Sequence, residues 1–141
     1  MFFVFDENIP PKLPNLVKDI FTDIPNIEVH SVKDLGLLGT SDVDLFNKIK
    51  EFSNGKKCIL ISGDRYITRR PPEIQSLKVN GLIAFLCPPS VCEKPFQDRI
   101  LYILNAWKGI REVASHSKER DIYLLPAKMG LTATEIKNHK K

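Results

Sequence analysis

The chain alternates short, wholly apolar runs with longer stretches in which apolar residues recur every three or four positions. Phe2-Phe3-Val4-Phe5 is the first such run, and continuous β-favouring residues of this length predict a strand buried on both faces. Asp6-Glu7-Asn8 ends it, and Pro10-Pro11 delay the start of the helix that follows. Leu13, Leu16, Val17, Ile20 and Phe21 then mark one face of a first helix. Ile27 to Val32 alternates as a second strand. After a loop with two glycines, Thr40 or Ser41 caps a second helix that opens at Asp42. Val43, Phe46, Ile49, Lys50 and Phe52 predict its inner face, with Leu45 beside them, and Asn54-Gly55 stops it.

The same alternation continues to the end. Lys57 to Ser62 predicts a third strand, followed at once by Gly63-Asp64. Arg65, Tyr66, Arg69, Arg70 and Pro71-Pro72 lead into a polar helical stretch that ends near Lys78. Leu82 to Cys87 predicts a fourth buried strand, and Pro88-Pro89 breaks it. A long amphipathic helix then runs from about Lys94 or Pro95 to Ser115, through Phe96, Ile100, Leu101, Ile103, Leu104, Trp107 and Ile110. Ile122 to Leu125 predicts a fifth strand. The order β-α-β-α-β-α-β-α-β implies an α/β fold, a three-layer α/β/α sandwich around a mostly parallel five-stranded sheet. We expect one domain over residues 1–128 and a C-terminal tail over 129–141, with a short helix capped by Thr132 or Thr134.

Composition narrows the class. The chain has 141 residues, 43% hydrophobic and 27% charged, which suits one globular domain and excludes a disordered chain. The net charge of +4 suits a phosphate-rich partner without requiring one. Three cysteines, Cys58, Cys87 and Cys92, make no disulfide framework; no histidine pair at zinc spacing accompanies them, so reduced thiols are expected. The apolar start lacks a basic leader region, and no apolar run approaches the ~20 residues of a membrane helix. The expected location is the cytoplasm, with no membrane partner.

In an open parallel sheet, functional groups collect beyond the carboxyl ends of the strands. Asp6 follows the first strand and Asp64 the third, while Asp42 opens the helix after the second. All three fall on one edge of the predicted sheet. Carboxylates gathered in this way suit Mg2+ or Mn2+, which prefer oxygen ligands, and such an ion assists hydrolysis of a phosphodiester. Each acid also has a plainer reading as a helix cap, an Asx turn or a favourable N-terminal charge, and Asp44 competes with Asp42. Arg65, Tyr66, Arg69 and Arg70 stand beside Asp64, where arginines can hold phosphate and a tyrosine can stack on an RNA base. Their plainer reading is a solvated turn. No Walker loop, dinucleotide fingerprint or nucleophile elbow is present. A receiver-like phosphoacceptor reading matches Asp6-Glu7 and Lys128 only superficially. His30 reads as a structural strand residue.

Three blocks carry a family resemblance. Val4-Phe5-Asp6-Glu7-Asn8-Ile9-Pro10 resembles the opening of PIN-like domains from toxin–antitoxin systems, a hydrophobic residue, one more, then D-E-N-x-P. His30 to Leu37, continued by Gly39-Thr40-Ser41-Asp42, is similar to the second block of that group, and Ile59 to Asp64 to its third. The resemblance covers about the first half of the chain. It implies a PIN-like fold and a VapC-like metal-dependent endoribonuclease, a toxin neutralised by a cognate antitoxin protein. By position it makes Asp6, Asp42 and Asp64 the catalytic, metal-binding acids, with Mg2+ or Mn2+ as cofactor, RNA as substrate and a homodimer as the assembly. The chain departs from the pattern after Asp64, where relatives often carry a second Asp and then Phe; Tyr66 and Ile67 stand there. A fourth acid, common in PIN nucleases, has no assigned position. The alternative is a non-catalytic PIN-like module that binds RNA or a partner protein.

Overall fold

The computed structural model describes residues 1–20 and 26–139. Six strands form one sheet: β1 (Phe2–Phe5), β2 (Glu28–Ser31), β3 (Cys58–Ser62), β4 (Ile83–Leu86), β5 (Ile122–Leu124) and β6 (Lys137–Asn138). Five helices cover it: α1 (Leu13–Ile20), α2 (Asp42–Ser53), α3 (Pro71–Val79), α4 (Pro89–Cys92) and α5 (Phe96–His116). The spatial order is β2-β1-β3-β4-β5-β6. All pairs from β2 to β5 are parallel, and β6 alone is antiparallel.

The strands bury both faces, as their apolar runs require. Phe3, Phe5, Ile59, Ile61, Ile83 and Phe85 face α1 and α5; Phe2, Val4, Leu60, Ala84 and Leu86 face α2 and α3. Trp107 of α5 seals the first layer, its ring centroid 4.8 Å from that of Phe3 and 5.9 Å from that of Phe5. The result is the expected α/β/α sandwich. No helix among the described residues is long and apolar enough to cross a membrane.

The structure departs from the expected pattern in four places. The segment expected as a tail returns to the sheet: Leu131 and Ile136 are buried, and β6 pairs Tyr123 with Asn138 and Leu124 with Lys137. Its helix is a single 3-10 turn, Ala133–Glu135, with Thr132 in a capping box. The inner face of α2 is Leu45, Phe46 and Ile49, whereas Val43 and Phe52 are exposed, because the helix turns its apolar stripe toward β1 and β3. Phe96 and Leu101 of α5 are likewise exposed, whereas Tyr102 and Ala106, which were not expected on its inner face, are buried. Cys92 closes α4, a single turn that directly follows Pro88. Phe21, expected on the face of α1, lies outside the described residues. All three thiols are free, and burial pushes Cys58 up to about 12.

Candidate metal centre

The strand order makes a reversal between β1 and β3, because the chain leaves β1 for β2 on one side and comes back to β3 on the other. Such a point opens a crevice at the carboxyl ends of the two strands. Asp6 and Asp64 stand there. Phe5 is in register with Ile61, and the Asp6 amide donates to the Ile61 carbonyl at 2.9 Å, so Asp6 lies against Ser62.

A small hydrogen-bond network then locks the two strand ends together. The Ser62 hydroxyl donates to Asp6 Oδ2 at 2.8 Å and accepts from the Asp64 amide at 3.0 Å. The Gly63 amide donates to Asn8 Oδ1 at 2.9 Å. A side chain at Gly63 has no room, since its Cβ would lie 2.4 Å from Cys92 Sγ. Asp64 caps the 3-10 helix Arg65–Arg69, its Oδ1 accepting from the Tyr66 amide at 3.0 Å. Its Oδ2 faces the crevice.

Asp42 arrives from the other side. Ser41 caps α2, accepting from the Asp44 amide and donating to Asp44 Oδ2 at 3.1 Å. That bond holds Asp44 to the cap and leaves Asp42 to face the centre, which separates the two competing acids. The third carboxylate is Glu73, in the first turn of α3. Asp42, Asp64 and Glu73 each present an oxygen within 4.8 Å of the others. Asp6 stands behind this group, 5% exposed, with both oxygens accepting hydrogen bonds from Ser62 and the Glu7 amide.

A positive group already sits among these acids. Arg70 Nη1 lies 2.9 Å from Asp64 Oδ2, 3.1 Å from Glu73 Oε2 and 3.8 Å from Asp42 Oδ2. Its guanidinium is held protonated above its ordinary range, by Glu73 first and then Asp64. One positive nitrogen thus marks the point on which three carboxylates converge. The donors there are all carboxylate oxygens, the set that Mg2+ and Mn2+ prefer. The residues fit a divalent ion, and Arg70 stands in for its charge. Burial pushes the Asp6 carboxyl above its usual value, against the hydrogen bonds of Ser62 and Glu7, with a smaller push from the charge of Asp42. Burial also raises Glu73, partly offset by Arg70.

Residues 1–89, more than half of the chain, match the family described as PIN like domain. The chain belongs to this family. No curated protein and no solved structure matches it. The matched span holds every acid of the centre: Asp6, Asp42, Asp64 and Glu73.

The basic and aromatic residues beside the centre divide into three groups. Arg65 fastens strand ends: its Nε donates to the Cys87 carbonyl at 3.2 Å and its Nη2 to that of Leu125. The sequence had suggested a phosphate contact for it, but β4 and β5 leave carbonyls at their ends that the half-buried guanidinium satisfies. Arg70 belongs to the acids. Tyr66 and Arg69 face outward, with Arg69 Cζ 5.6 Å from the Tyr66 ring centroid. Arg69 has no carboxylate partner among the described residues. Sequence reasoning missed Glu73 and the holding roles of Asn8 and Ser62. Asn8 and Ser62 lie within the recognised blocks, and Glu73 follows Arg70 by one helical turn after Pro71-Pro72.

Proposed function

We propose that this PIN-like domain is a divalent-metal-dependent ribonuclease that hydrolyses phosphodiester bonds of RNA. One observation carries the reading: three carboxylates converge on a single positive nitrogen at the switch point of a parallel sheet. Asp42, Asp64 and Glu73 would hold Mg2+ or Mn2+. Bound there, the ion would supply positive charge to offset the negative charge that builds on a phosphodiester under attack by water. Asp6 fixes Ser62, and through it the Asp64 backbone, so that the acid loop keeps its shape while substrate binds. Arg69 and Arg70 are within reach of the crevice and suit the phosphate backbone.

The three sequence blocks extend this reading to the toxin of a toxin–antitoxin pair, acting in the cytoplasm, paired with a second copy and restrained by a cognate antitoxin protein. A second reading is a non-catalytic module that binds RNA or a partner protein. Arg70 favours it, because the guanidinium satisfies the acids without an ion. The two readings part in one experiment, incubation of mixed RNA with Mn2+. A nuclease cuts, and EDTA or Asp6→Asn abolishes the cutting. A binding module retains RNA on a filter and leaves it whole under every condition.

A further inference from the structure

A cavity lies beside the acid centre, its lining drawn in part from Gly63, Arg65 and Tyr66, the residues that flank Asp64. It encloses about 640 Å3 at the carboxyl ends of β3, β4 and β5. Gly63, the residue before Asp64, lies on one side, and His139, brought back by β6, lies on another. Pro89 and Leu124 add apolar surface. Tyr66 and Arg69 also line it, and Tyr66 is 59% exposed.

From this we infer that the cavity is a nucleotide pocket, taking one unpaired nucleotide of a single strand whose adjoining phosphate lies over the acids. The inference rests on the ribonuclease reading and adds to it where a base is held. Three features support it. The volume falls within the range of about 300–1,000 Å3 typical of small-ligand sites. An exposed aromatic ring beside an apolar floor suits the flat face of a base, and every base has such a face. Arg69 lines the cavity with its Cζ 5.6 Å from the Tyr66 ring centroid and has no carboxylate partner among the described residues, so it is a cation available to the phosphate of a stacked nucleotide. Glu93, also on the lining, is an acceptor for an exocyclic amine of the base. A duplex cannot enter, because its bases are stacked and paired out of reach of a concave wall.

The test uses the whole protein and 5′-mononucleotides of the four bases, titrated in EDTA and followed by NMR. Binding in EDTA removes any contribution from a metal. The expected result is saturable binding of at least one mononucleotide at millimolar concentration. Tyr66→Ala should weaken it about tenfold, as loss of a base–aromatic stack does, and Arg69→Gln by a similar factor. Both side chains are exposed, so neither change threatens the core. Inorganic phosphate should bind more weakly than the mononucleotide. Equal binding of phosphate would overturn the base pocket, as would the absence of binding or its indifference to both variants. Asp42→Asn separates the two readings, since Asp42 belongs to the acid group but lies outside the cavity lining and caps no part of the segment that carries Tyr66 and Arg69. It should abolish cutting of RNA with Mn2+ and leave mononucleotide binding in place. Wild-type protein that binds mononucleotides without ever cutting RNA would defeat the nuclease reading and leave the pocket standing.

Discussion

Arg70 and a divalent ion compete for the same three carboxylates. The guanidinium lies 2.9 and 3.1 Å from oxygens of Asp64 and Glu73, whereas Mg2+ needs those oxygens at about 2.0–2.1 Å. The two cannot share the spot. The side chain is 44% exposed, so it is free to swing outward into solvent. Replacing Arg70 with Gln should therefore tighten Mn2+ binding about tenfold, measured as free Mn2+ by electron paramagnetic resonance; tenfold corresponds to about 1.4 kcal/mol. The same variant should melt lower than wild type in EDTA, since three acids then face one another unbalanced. Unchanged or weaker Mn2+ binding would show that Arg70 and the ion do not compete.

Asp6 carries a pH signature. Its folded-state pKa is raised, chiefly by burial. A raised pKa means that folding favours the protonated acid, so its contribution to stability is full below the ordinary aspartate range and is lost as pH rises through the raised value. Asp6→Asn removes that loss and keeps an acceptor for the Glu7 amide. In EDTA, the variant should gain stability relative to wild type as pH increases from about 3 to 7, followed by thermal melting. A difference that shrinks over that interval would have the wrong sign.

At the scale of elements, what the sequence revealed follows from what each element contributes. β1, β3 and β4 were legible because burial on both faces demands apolar residues throughout, and Gly63, Gly81 and the prolines punctuate them. Asp6 and Asp64 were legible because they follow those strands directly. Glu73 was not. It lies in a short helix with no strand end or glycine to single it out, and only the packing of α3 against α2, with Ser76 Oγ donating to the Val43 carbonyl at 2.8 Å, carries it to the centre. Nor was β6 legible, since Lys137 and Asn138 form a two-residue edge strand without an apolar pattern. Val43 and Phe52 misled the reading of α2 because single exposed apolar residues are ordinary on a protein surface. The cap of α2 offers a check on the element that positions Asp42. Ser41→Ala should cost about 1 kcal/mol by urea titration, and it frees Asp44 from the cap.

At the scale of the whole molecule, α5 is the spine on which both ends of the chain settle. Trp107 packs on Phe3 and Phe5 of the first strand, and Gly109 receives the backbone of residues 131–133. Trp107→Ala should cost about 3–5 kcal/mol in denaturant titration, the usual penalty for emptying a core site of that size. Gly109 sits inside a helix, where glycine is ordinarily unfavourable by about 1 kcal/mol. It is needed because a Cβ there would meet Leu131 O at 3.1 Å and Ala133 N at 3.2 Å. Gly109→Leu should lift the closing segment away, and with it His139 from the cavity. Hydrogen exchange should then show lost protection of the Ile136 and His139 amides, whose bonds to the Ala133 and Ile122 carbonyls mark the closed state.

The whole scheme depends on a cation replacing a guanidinium. Crystals soaked in Mn2+ and measured for anomalous scattering show both partners at once. The predicted result is one strong peak with oxygens of Asp42, Asp64 and Glu73 at about 2.0–2.6 Å, and Arg70 displaced from the three acids into solvent. Arg70 still lodged among the three acids at saturating Mn2+, with no peak between them, would contradict it.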